Sequence, residues 1–161
     1  QQYLQVMNPD DPSEFNPPEA SVRNISWHKA NEFCEILTRQ ERQKGSISDN
    51  WEFSLPTEVE WLHANSAGSG KIYWWGSSFA EDNATMPHPW GFEQMNDDHD
   101  EWSSTVANQS STNPNTWYRL VMSAGSRNRN STSFWSRPLS RRASPREERE
   151  YVGFRICLRK P

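Results

Sequence analysis

The chain has 161 residues, 33% hydrophobic and 24% charged, with a formal net charge of -4 and a mean hydropathy of -1.01. That length suits one compact domain, no apolar run approaches the ~20 residues that cross a bilayer, and nothing reads as a signal or transit peptide, so no membrane partner is expected. The 12% aromatic share, with 9 Trp, argues against disorder, because each buried ring removes roughly 150–250 Å² from water.

In chain order, Gln1 to Met7 forms an amphipathic stretch already under way at the first residue, which predicts that 1–161 is a single domain, truncated at its N-terminal end, from a larger polypeptide. Pro9, Pro12, Pro17 and Pro18 then impose an extended connection. Ser26 is a candidate N-cap, and Trp27, Ala30, Phe33, Cys34 and Leu37 recur at helical spacing, which predicts a helix over 27–43 stopped by Gly45. Thr57 and Glu60 have capping-box spacing behind Pro56 and predict a second helix over 57–66. From Gly68 onward short aromatic pieces alternate with Ser, Asn and Asp, which predicts loop. Strands are predicted at 117–122 and 151–158, separated by about thirty polar residues.

The segments NISWHKANEFCEIL (24–37), SLPTEVEW (54–61), YWWG (73–76), PWGFEQM (89–95), EW (101–102), AGS (124–126) and GFR (153–155) occur together in this order. Their combination resembles the formylglycine-generating enzyme, or sulfatase-modifying factor, family. The resemblance implies an α+β, C-type-lectin-like fold with two helices, short antiparallel strands and much loop. It also implies that the first strands of that family are missing before Gln1.

Aerobic enzymes of that family oxidise a substrate cysteine with copper held by two thiolates, which have four residues between them soon after a Gly-Gly-Ser motif. Aligning Ala124-Gly125-Ser126 with that motif puts Arg129 and Phe134 at the thiolate positions. A permanent cation and a phenyl ring cannot bind a soft metal. The expectation is therefore a non-catalytic binding or regulatory module, a pseudoenzyme with no redox cofactor. Relatives of this kind are joined to bacterial serine/threonine kinases, which implies a sensor or docking role beside an upstream domain of the same polypeptide. Two alternatives stay open: a divergent metal-dependent oxidase, and a lectin-like, ligand-displaying variable protein.

Other constellations carry weaker chemistry. The family holds calcium near a Gly-Asn-Val-Trp-Glu-Trp segment; here Asp97, His99 and Glu101 occupy that stretch and suit a hard cation such as calcium, or form a solvated acidic loop. Cys34 and Cys157 resemble a pair that can bridge the first helix to the last strand, or else stay free thiols. The four histidines lack metal-ligand spacing, and no nucleophile elbow or phosphate loop is present. Between 127 and 149 the chain is rich in arginine. Arg127, Arg129, Arg137, Arg141 and Arg142, with Phe134 and Trp135, are the candidate binding residues for an acidic peptide or protein; the bland alternative is local pairing with glutamates and stacking on tryptophan. The net charge of -4 and the lack of a binding motif argue against nucleic acid, and the compartment is not indicated.

Overall fold

The computed structural model describes residues 2–7, 22–77, 86–93, 95, 99–109, 112–123 and 139–161. The first element is a short helix, α1 (Gln2–Met7), and the second a long one, α2 (Trp27–Gln43). Ser26 caps α2 as its spacing predicts, its hydroxyl accepting the Lys29 N–H at 3.3 Å. The apolar stripe of α2 buries Trp27, Ala30, Phe33 and Cys34. Thr38 joins them, although it is polar, because its hydroxyl donates to Cys34 O at 2.8 Å and accepts the Phe53 N–H at 2.9 Å. That second bond ties α2 to strand β1 (Glu52–Ser54).

Helix α3 (Glu58–Asn65) starts with the expected reciprocal cap. The Thr57 hydroxyl accepts the Glu60 N–H at 3.2 Å, and the Glu60 carboxylate accepts the Thr57 N–H at 2.7 Å. Burial pushes the Glu60 carboxyl up, but the Thr57 bonds and the Arg159 guanidinium outweigh it and hold the group below its usual range. No described helix is long and apolar enough to cross a membrane.

The remaining strands are β2 (Asp100–Asn108), β3 (Tyr118–Ser123), β4 (Leu139–Ala143), β5 (Val152–Gly153) and β6 (Cys157–Arg159). They form a four-stranded sheet in the order β4-β3-β2-β5 and a two-stranded one that pairs β1 with β6. The β2–β3 and β3–β4 pairings are antiparallel, and β5 runs parallel to β2. The fold is therefore α+β, as the resemblance implies.

Three expectations need correction. The loop expected after Gly68 contains β2, which is nine residues long. Its sequence, DEWSSTVAN, hides the strand because Ser103 and Ser104 interrupt the apolar alternation, while Trp102 and Ser103 are both fully buried. The polar stretch before 149 contains β4, whose two arginines mask it. The strand expected over 151–158 is two pieces, since the chain leaves the larger sheet after Gly153 and enters the smaller one at Cys157.

The larger sheet has two differently filled faces. Trp102, Val121, Ala143 and Val152 cluster with Ile25, Trp27, Ala30, Phe33 and Cys34 on the α2 side. There two indoles are exchanged: Trp27 Nε1 donates to Ser103 O at 2.9 Å, and Trp102 Nε1 donates to Ile25 O at 2.8 Å. Tyr3 stacks on Phe33 with ring centroids 5.4 Å apart, and Phe154 meets Phe33 edge-on at 5.3 Å, so α1, α2 and the chain after β5 share one aromatic contact. Gly153 is needed there because a Cβ would fall 2.5 Å from Val22 O. On the other face Met122 packs with Trp61 of α3 and with Met95.

Candidate functional site

Strand alternation sends Glu101 to the α3 side of the sheet, on the same face as its register partner Met122, while Trp102 points to the opposite side. The Glu101 carboxylate is gripped by Arg155 in a two-pronged pair, Nε to Oε2 at 2.5 Å and Nη2 to Oε1 at 2.6 Å. It also accepts the Trp61 indole N–H at 2.6 Å. The two charged side chains are only 14% and 18% exposed. A charge pair so far removed from water is stable only when its hydrogen-bonding capacity is met, and here both oxygens are engaged.

Beyond Arg155 lies an aromatic turn. The Arg155 guanidinium sits 5.7 Å from the centre of the Phe92 ring. His88 is buried and packs edge-on against Trp74, Phe92 and Trp90 at 4.5, 5.1 and 6.4 Å. Trp90 in turn lies against His63 of α3 at 5.3 Å. The turn closes with the Gly91 N–H donating to His88 O at 2.8 Å, and Gly91 takes the left-handed φ of 74° that glycine permits. At the end of α3, Gly68 has a φ of 67°, and a Cβ there would approach the Trp90 ring to 3.1 Å. Trp90 and Phe92 keep exposed edges, which makes this turn a surface feature above a buried histidine.

The sequence-chosen residues fall in different places. Glu101 has both carboxylate oxygens bound by Arg155 and Trp61, so a hard cation would have to displace a guanidinium to use them. His99 is half-buried just before β2, and Asp97 lies outside the described residues. Among the described residues no group of three or more His, Cys, Asp or Glu side chains is assembled as a metal site.

Arg141 and Arg142 are neighbours on β4, opposite Val121 and Leu120 respectively. Adjacent strand residues point to opposite faces, so the two cannot line one groove together: Arg142 is exposed and Arg141 half-buried on the α2 side. As candidate binding residues, these two therefore stand on opposite faces of the sheet. Arg127, Arg129, Phe134, Trp135 and Arg137 lie outside the described residues. A further arginine, Arg119 on β3, places its guanidinium over the Trp27 ring, 4.0 Å from the ring centre, and donates to Ser104 O at 3.1 Å.

Cys34 and Cys157 are free thiols, so the bridge that the resemblance allows is not formed. Burial, followed by the nearby Cys157, pushes the Cys34 thiol up to about 12. Cys157 donates to Ser54 O at 3.4 Å. Neither cysteine stands at the positions that align with the family's copper pair, which are Arg129 and Phe134.

Sequence reasoning passed over Arg155, Trp61 and His88. A usable signal was present for Arg155, because a lone cation inside the apolar run YVGFRICL calls for a buried carboxylate, and Glu101 stands beside a tryptophan in just such a setting. His88 carried no comparable mark.

The described elements and the quoted motifs agree with one family. The family model described as Sulfatase-modifying factor enzyme 1-like domain matches residues 5–119. The match ends before Ala124-Gly125-Ser126 and Gly153-Phe154-Arg155, so the likeness read at those motifs lies beyond it. No curated protein and no solved structure matches the chain. With most of its length covered, and with the α+β elements of a C-type-lectin-like fold in place, the chain belongs to the sulfatase-modifying factor family.

Proposed function

We propose that this family domain works as a non-catalytic binding module, with the arginine-rich segment before β5 receiving an acidic peptide or protein. The observation that carries the reading is the position of the sulfur. The chain has 2 Cys, one buried in α2 and one bonded to β1, while Arg129 and Phe134 stand where the aligned motif calls for thiolates. Oxidation of a substrate cysteine would need a soft-metal site built some other way. A role as the sensor or docking part of a bacterial signalling protein, such as a serine/threonine kinase, follows from family analogy.

The test is to incubate the purified domain with Cu(I) and a cysteine-bearing peptide in air. Neither retained copper nor aldehyde product is expected, and turnover with stoichiometric copper would overturn the reading. For the binding half, a polyglutamate peptide is the probe. The double variant Arg129→Glu with Arg137→Glu should lose capture of it at an unchanged melting temperature. Unchanged capture removes the acidic-partner idea, and collapse of the fold assigns those arginines to structure.

A further inference from the structure

His88 has two ring nitrogens whose roles are set by what they face. Nε2 lies 2.9 Å from Ala64 O, a group that can only accept, so Nε2 carries the proton. Nδ1 lies 3.1 Å from the Trp90 backbone N–H, a group that can only donate, so Nδ1 offers its lone pair. Only the neutral imidazole with its proton on Nε2 satisfies both contacts. A second proton would have to sit on Nδ1, directly against the Trp90 N–H. It would remove that bond and put a charge in a place where His88 is 6% exposed.

The surroundings of the ring act in both directions. Burial comes first and disfavours the charged form, and the Arg155 guanidinium adds to it; the Ala64 and Asn65 backbone of α3 works the other way. The balance lies below the ordinary histidine value. Glu101 reaches this arrangement through its pairing with Arg155, and Glu93, exposed, follows Phe92 in the chain. His63 lies on the far side of Trp90. Trp74 and Phe92 complete the walls and carry no charge.

We propose that His88 is a proton-operated latch: when Nδ1 takes a proton in mildly acidic solution, the Trp90 amide is released and the Pro89–Phe92 turn comes away from α3, rearranging the exposed Trp90–Phe92 surface. One bond breaks, Trp90 N–H to Nδ1, and solvent supplies the proton. The bond from Nε2 to Ala64 O survives, so the ring remains anchored to α3 while the turn is freed. This device does not depend on what the surface binds.

The experiment follows the hydrogen exchange of the Trp90 amide and the ring nitrogen resonances of His88 across a titration. Corrected for intrinsic rate, Trp90 protection should fall on the order of tenfold between about pH 8 and about pH 5, in step with protonation of Nδ1. The amides of α2 should not change over the same range. In His88→Asn the side-chain oxygen can still accept from the Trp90 N–H two residues on, and it does not titrate, so protection should become flat. If that variant does not fold, the wild-type co-titration decides by itself. A proton on Nδ1 at about pH 8, pH-independent Trp90 protection, or an identical fall in His88→Asn would each overturn the proposal. So would loss of the effect in His63→Asn, which would assign the titration to the other histidine.

Discussion

On the α2 side of the four-stranded sheet, Trp102, Val121, Ala143 and Val152 meet a helix stripe of aromatic and small residues, and two indole N–H groups there are bonded to main-chain carbonyls. On the α3 side, Trp61, Met95 and Met122 pack beside a nearly buried ion pair and a buried neutral histidine. The first face draws its stability from area removed from water, which is indifferent to pH. The second also depends on charge states, so it responds to protons and to loss of a single partner.

The deepest way to break the first face is Trp102→Ala, expected to cost about 3–5 kcal/mol because it empties a fully buried indole site. Trp102→Phe should cost less, about 1–3 kcal/mol, chiefly by leaving Ile25 O without its donor. Urea denaturation reads both. On the second face, Arg155→Leu should cost about 3 kcal/mol by stranding the Glu101 carboxylate. The double variant with Glu101→Leu should be less damaging than the sum of the two single changes, and strict additivity would show that the pair is not coupled. Thr57→Ala removes the cap of α3 and should cost about 1 kcal/mol in the same measurement.

The smallest effects are the pH responses, and their signs separate the faces. The folded value of His88 lies below the ordinary one. Its contribution is therefore complete above about pH 6.5 and is lost as pH falls from there through the folded value. Glu60, also lowered, contributes above the ordinary glutamate value and loses that contribution as pH falls through its folded value. Thermal melts from neutral to acid pH should thus show a first loss that His88→Asn removes. For the α2 side, the Cys34 thiol stays neutral until about pH 12. Alkylation at mildly alkaline pH should mark Cys157 well before Cys34, as peptide mass mapping would show.

Local chemistry made both capped helices legible, since Ser26 and Thr57 act on atoms within three residues of themselves. The long strand β2 was hidden because Ser103, though fully buried, and Ser104 read as loop residues, and Ser104 is held by a distant neighbour, Pro56, whose carbonyl accepts its N–H at 2.8 Å. β4 was hidden for a related reason: its pairing with β3 gives Arg141 and Arg142 a strand's geometry that their composition does not announce. The quoted motifs carried the family, but the partner of Glu101 could not be read from its own surroundings, because Arg155 is 54 residues away.

Spacing by itself determined the two capped helices, while the resemblance carried by the quoted motifs supplied the α+β class, the family, and the reading that no cysteine stands at the positions aligned with paired thiolates. The tertiary structure alone decided that Glu101 serves an arginine and an indole, that Arg141 and Arg142 face apart, and that His88 is held as one tautomer. The physical reason is range. Capping and helical periodicity act between near neighbours in sequence, whereas the ionisation and tautomer of a buried group are set by whichever distant atoms folding brings within hydrogen-bonding distance.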